Sequence, residues 1–128
     1  MSYRDLDVWK KAMDLIVDCY KTTEGFPQKE TYGLASQLQR AAVSIAANIS
    51  EGHARRYTKE FLRFLSIAYG SLAELETHIL IAERLNYIDS SQTMRLLEKA
   101  SELGRMLNGL RRSLKDHKKS GTEEANHV

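Results

Sequence analysis

Between Arg55 and Arg63 the chain reads RRYTKEFLR, placing Arg55, Arg56, Lys59 and Arg63 around Tyr57. Four cations at that density suit the phosphate backbone of a nucleic acid, which they would bind in a salt-dependent way. An aromatic ring among them suits stacking on an unpaired base. Tyr3 is the second such aromatic, beside Arg4. One tyrosine next to four cations is a weak motif alone, because charge runs usually solvate helix faces.

The other reactive residue types are sparse. His53, His78, His117 and His127 lack the close second ligand that a metal site needs. Glu74 stands four residues before His78, which reads as a hydrogen-bonded helix pair. Di-iron bundles use Glu-x-x-His on two helices, and here that spacing occurs only at Glu124 and His127, near the C-terminus. No phosphate loop, dinucleotide fingerprint or nucleophile elbow is present. Cys19 falls on an apolar row and reads as a small buried hydrophobe. No catalytic residue, metal or cofactor is therefore expected. A single cysteine, no signal-peptide core and no apolar run near ~20 residues point to a reducing, cytoplasmic setting without membrane contact.

The elements that position these residues are helical throughout. Leu6, Trp9, Met13, Ile16 and Tyr20 form a heptad seam on a first helix, about 5–23, and Val8, Ala12, Leu15 and Cys19 widen it. Pro27 suits the first position of a second helix, about 27–51, with Leu34, Leu38, Ala42, Ile45 and Ile49 inward and Gly52 as its stop. Thr58 can cap a third helix, about 58–86, with Phe61, Leu65, Ala68, Leu72, Leu75, Ile79 and Ala82 as its seam. Asn86-Tyr87-Ile88 breaks it, and Asp89 with Gln92 resembles a capping box for a fourth helix, about 90–117. Its stripe is Leu96, Ala100, Leu103, Leu107, Leu110 and Leu114. Residues 118–128 have little apolar content and are expected to be a disordered tail. The fold class is all-α: an antiparallel up-down-up-down four-helix bundle over residues 1–117.

That order sorts the charge. One pole gathers the start of the first helix, the turn between the second and third, and the end of the fourth. It holds Arg4, Lys10, Lys11, Arg55, Arg56, Lys59, Arg63, Arg111, Arg112, Lys115, Lys118 and Lys119 against Asp5, Asp7, Glu51, Glu60 and Asp116, so a chain of net charge +2 becomes a polarised rod. Phosphate contacts are expected from Arg55, Arg56, Lys59 and Arg63, helped by Arg111, Arg112 and Lys115; Arg40 is a separate candidate that could instead bridge subunits. For any one of these cations, simple solvation of a helix end is the ordinary alternative.

From Thr31 to Ser50 the second helix carries one charge, Arg40. A helix small or apolar all round is buried on more than one side. Ala35, Ala41, Ala46 and Ala47 would admit a neighbouring helix, and Phe64, Ile67, Gly70 and Ser71 form a similar surplus on the third. A homo-oligomer packed through helices two and three is expected; the alternative buries helix two within a monomer.

Three stretches, DLDVWKKAMDL, FPQKETYGLASQLQRAAVSIAANISEG and FLRFLSIAYGSLAELETHILIAERLNYI, resemble one family, the four-helix-bundle 23S rRNA intervening-sequence (S23) proteins. The likeness runs from about Tyr3 to Leu114. It is carried by Tyr32-Gly33-Leu34, Gln37, Arg40-Ala41-Ala42, Ser44-Ile45, Asn48-Ile49 and Glu51-Gly52. Ala35 replaces a frequent Thr, Ser50 a frequent Ala, and Gln39 a frequent second Arg, which weakens a paired-arginine site on helix two. The resemblance implies a bacterial bundle, often a ring-like pentamer, from a family with no established enzymatic activity. It is also similar to the accessory protein of diversity-generating retroelements, a pentamer that associates with a reverse transcriptase and binds nucleic acid. The alternative role it implies is a scaffold for a polymerase or reverse transcriptase, with nucleic acid incidental.

Overall fold

A computed structural model describes residues 1–119, with side chains through His117. Four helices follow one another: α1, Asp7–Thr23; α2, Leu34–Ala54; α3, Thr58–Arg84; and α4, Ser90–Lys119. Each packs on two neighbours in cyclic order, α1 on α2, α2 on α3, α3 on α4 and α4 on α1. Cross-helix bonds fix the antiparallel sense. Arg111 of late α4 reaches Ser66 of early α3, and Lys99 of early α4 pairs with Asp18 of late α1. Of the tail expected at 118–128, residues 118 and 119 continue α4 and the rest lies outside the described residues.

The α3 and α4 seams form as the spacing predicts, with Phe61, Leu65, Leu75, Ile79, Leu96, Leu103 and Leu107 almost fully buried. The cap of α4 is reciprocal. Asp89 Oδ1 accepts from the Gln92 N–H at 2.7 Å and Gln92 Oε1 accepts from the Asp89 N–H at 3.0 Å, a device worth about 1 kcal/mol. At the other end of this connection α3 stops at Arg84. Asn86 takes a left-handed φ of 63°, and Tyr87 and Asn86 donate back to the carbonyls of Ala82 and Glu83. That pairing is a Schellman motif, with asparagine in the place usually held by glycine.

Four local expectations are corrected. On α1 the buried row is Val8, Ala12, Leu15 and Cys19, while Met13 and Tyr20 of the bulkier heptad row are exposed and Trp9 and Ile16 half-buried. Small residues let α1 sink close to the bundle axis, which leaves its large row at the edge. Pro27 begins only a 3-10 turn, Gln28–Glu30, and α2 starts at Leu34. The Glu30 carboxylate accepts from the Leu34 N–H at 3.0 Å and caps the helix from outside. Gly52 lies inside α2; a Cβ there would stand 2.7 Å from Phe64 Cβ and 2.9 Å from Phe61 Cδ1. It is a point of close approach between α2 and α3, and the helix ends two residues later at Ala54. Thr58 is the first residue of α3 and buried; the cap position is Tyr57, whose side chain makes no capping bond.

The seams between helices differ in chemistry. Between α1 and α4 run the ion pairs Lys11–Glu102, Arg95–Asp18 and Lys99–Asp18. Between α2 and α3 runs the Ser44–Ser71 bond at 2.8 Å, and Asn48, on the same helix as Ser44, donates to the Ser44 hydroxyl at 3.0 Å. At the far end the two loops are joined, since the Tyr87 hydroxyl donates to Glu30 at 2.7 Å. Those donors hold the Glu30 carboxyl below its ordinary range, and the same bond raises the Tyr87 phenol.

Candidate nucleic-acid interface

The α2–α3 turn is short because α2 ends at Ala54 and α3 begins at Thr58, and its residues Arg55, Arg56 and Tyr57 are exposed. Arg55 leaves α2 in an extended conformation. Its guanidinium lies 4.9 Å from the centre of the Phe64 ring, and that of Arg63 lies 4.6 Å from the same ring. Phe64 is itself buried, so two arginines roof one aromatic. Each such contact is worth roughly 0.5–1 kcal/mol at an exposed site, enough to bias two long side chains towards a shared position. Arg55 also meets Glu51 at 3.8 Å. Arg56 lies over Tyr57 at 5.9 Å, and Lys59 is exposed on the first turn of α3.

On α4, Arg112 and Lys115 are exposed. Arg111 is different. It donates to Asn108 Oδ1 at 3.0 Å and Ser66 Oγ at 3.2 Å, and covers the Tyr69 ring at 5.6 Å. It is a clip between α4 and α3, with its charge half-buried. Arg40 stands fifteen residues before Arg55 on α2, roughly 20 Å along the axis, and lines a cleft with Gln37, Ser44 and Glu74. The fold thus gathers Arg55, Arg56, Lys59 and Arg63 at the turn, sets Arg112 and Lys115 near the same end of the bundle, and leaves Arg40 apart.

Of the two tyrosines expected to stack on bases, Tyr57 is exposed, whereas Tyr3 packs edge-on against Trp9 at 5.3 Å. The platform missed from sequence is Phe64. Its place beside Arg63 was visible, but its pairing with Arg55 required knowing that α2 and α3 touch at Gly52.

The expected subunit contact is largely taken up by the chain's own packing. Ala35, Ala41 and Ala46 are buried in the bundle, Phe64 lies under its arginines, and Ser71 bonds Ser44. Ala47, Ile67 and Gly70 are exposed. The larger apolar surface is a groove of about 310 Å³ between α1 and α2, lined by Tyr3, Trp9, Met13, Ile16, Val43, Ala46, Ala47 and Ser50.

Cys19 is fully buried, and burial pushes its thiol up to about 12, so it is no nucleophile. His78 meets Glu74 at 3.3 Å and is buried, with Nδ1 unpartnered. Among the described residues, no three His, Cys, Asp or Glu side chains gather as metal ligands do, and no helix is long and apolar enough to cross a membrane.

These features define a class: an all-α antiparallel bundle with a cationic turn at one end. The profile of one family, the 23S rRNA-intervening sequence proteins, matches residues 4–109. The chain belongs to that family. It is also similar in fold to a solved structure of a protein of unknown function from the S23 ribosomal protein family of Bacteroides thetaiotaomicron. The TM-score is 0.72 at 24% identity, over 81% of this chain and 97% of that one. No curated protein matches the chain.

Proposed function

We propose that this chain is a non-catalytic, cytoplasmic, homo-oligomeric bundle that binds RNA through its cationic turn. The observation that carries the reading is the pair Arg55 and Arg63 on one Phe64 ring, with Arg56 and Lys59 exposed beside them. Cations biased towards fixed positions by a shared ring contact phosphates with less ordering cost than free side chains do. Arg112 and Lys115 extend the surface, and Arg111 acts in it as a clip.

The test is a titration of labelled single-stranded RNA at several salt concentrations. Each phosphate contact contributes about 0.7 to the slope of log K against log salt. Arg55→Ala with Arg56→Ala should weaken binding and lower that slope by about 1.4. Unchanged affinity and slope would contradict the reading.

The oligomer is proposed to use two unlike surfaces: the α1–α2 groove of one copy, and the outer strip of α3 with Ile67, Gly70 and Ile81 in the next. The groove is mostly apolar and the α3 strip exposes Ile67 and Ile81 with Glu74 and Thr77 between them, and Gly70 has nothing within 4 Å of where a Cβ would stand. A contact between unlike surfaces is head-to-tail, and it closes as a ring when the rotation from one copy to the next divides a full turn. Five is the subunit number proposed from the family resemblance. A ring would repeat the cationic turn on one rim and raise avidity. The apolar groove also favours a second reading, a scaffold docking a polymerase or reverse transcriptase. A chain that is monomeric in light scattering, and a pull-down that survives nuclease and high salt, would select it.

A further inference from the structure

Between α3 and α4 lies a cleft of about 240 Å³ that no role described so far uses. Its floor is short of side chains. Ala73, Ala100 and Gly104 line it, and a Cβ on Gly104 would come 3.3 Å from Leu72 and 3.7 Å from the Tyr69 ring. The volume falls below the roughly 300 Å³ at which pockets for whole drug-sized ligands begin, so it suits one ring system.

Its walls carry opposite charges that do not meet. Glu76 of α3 and Arg105 of α4 both line it. Among the described residues Glu76 has no hydrogen-bond or ion-pair partner, and Arg105 donates only to Ser101, at 3.0 Å. Opposite charges on one cleft would normally pair; here each leaves its complement open. Burial also pushes the Glu76 carboxyl above its ordinary range, and a pair of donors would relieve that. Asn108, also in the lining, has its carbonyl oxygen taken by Arg111, which leaves its NH₂ to donate. Tyr69 is held by the Arg111 guanidinium above it. The clip thus orients both an aromatic ring and an amide, and Arg112 lies one turn beyond Asn108, about 6 Å along α4.

A ring that fits must be planar, with two adjacent donors on one edge and two acceptors on another. Among the bases guanine alone has that pattern: N1–H and N2–H₂ match a carboxylate, and O6 and N7 match an arginine. We propose that the α3–α4 cleft is a guanine slot, in which Glu76 accepts from N1–H and N2–H₂, Arg105 and Asn108 donate to O6 and N7, and the purine lies against Tyr69. The slot rests on the reading of this chain as an RNA binder, and would add a base preference to an otherwise sequence-blind phosphate surface.

The experiment uses the full chain and three 5′-labelled twelve-residue RNAs: all uridine, and the same with two central guanosines or two central adenosines. Fluorescence anisotropy should show the guanosine RNA binding roughly tenfold more tightly than the other two. Glu76→Gln should abolish that preference while leaving affinity for the uridine RNA unchanged, with thermal unfolding confirming the fold. Arg55→Ala with Arg56→Ala should weaken all three RNAs equally and keep the preference. Binding without a guanosine preference overturns the slot and leaves the cationic turn standing. A preference that persists in Glu76→Gln also overturns the slot. A guanosine preference in a chain indifferent to the arginine changes overturns the cationic turn and leaves the slot. Failure to bind any of the RNAs at low salt overturns both.

Discussion

Gly52 offers the sharpest test of how the cationic turn is built. Replacing it with alanine places a methyl group 2.7 Å from Phe64 Cβ and 2.9 Å from Phe61 Cδ1. Carbon pairs rest at about 3.5–4.0 Å, so α2 and α3 would have to part by roughly 1 Å. Phe64 Cβ is fixed to the α3 backbone and cannot swing aside, and Phe61 is fully buried. Overpacking of this kind costs typically 1–3 kcal/mol, and the fixed neighbours place this case near the upper end. Alanine returns about 1 kcal/mol in helix propensity, so the net loss is about 2 kcal/mol. For a chain of 128 residues that lowers Tm by roughly 8 °C. The control is Gly109→Ala on α4, where nothing stands within 4 Å of the new methyl group. It shares the propensity gain without the clash and should raise Tm by a few degrees. Thermal unfolding followed by circular dichroism reads both. If Gly52→Ala is as stable as the parent, α2 and α3 do not meet as described, and the placement of Arg55 and Arg63 on one ring loses its basis.

Glu30→Gln should destabilise the protein at neutral pH by removing a charged acceptor from Leu34 and Tyr87. Because the Glu30 carboxyl is held below its ordinary range, its contribution is complete at neutral pH and is lost as pH falls through that lowered range. The stability gap between parent and variant should therefore close in acid, as denaturant unfolding across pH would reveal; a gap that widens in acid contradicts the bond. Cys19, with its thiol pushed up to about 12, should resist iodoacetamide at pH 8 and react only on unfolding, which mass spectrometry can follow. Met13→Asp, on the exposed wall of the α1–α2 groove, should convert the proposed oligomer to monomer in light scattering while leaving the helix content unchanged.

How much of this was legible depended on whether one physical reading or two fitted each signal. The α3 and α4 seams and the Asp89–Gln92 box had one reading each. The first helix had two apolar rows side by side, and periodicity does not say which faces the axis. The row with Ala12 and Cys19 went inward because close approach there gains more contact than the bulky row can. Gly52 carried an equal ambiguity, since a helix stop and a close crossing both require a missing Cβ. The four cations of the turn were plain in the sequence, but their platform was not. Nor was the α3–α4 cleft, whose members are spread over forty residues and meet only through the antiparallel pairing.

The Glu30–Tyr87 bond joins residues 57 apart in sequence and ties the α1–α2 hairpin to the α3–α4 hairpin at the end away from the cationic turn. Each hairpin can close through local contacts, but this latch cannot form until the two hairpins dock. It therefore belongs to the late side of the folding barrier. Its loss should speed unfolding while leaving the refolding rate nearly unchanged. The loop end of the bundle, remote from any proposed ligand, would then govern how long the native chain persists once formed.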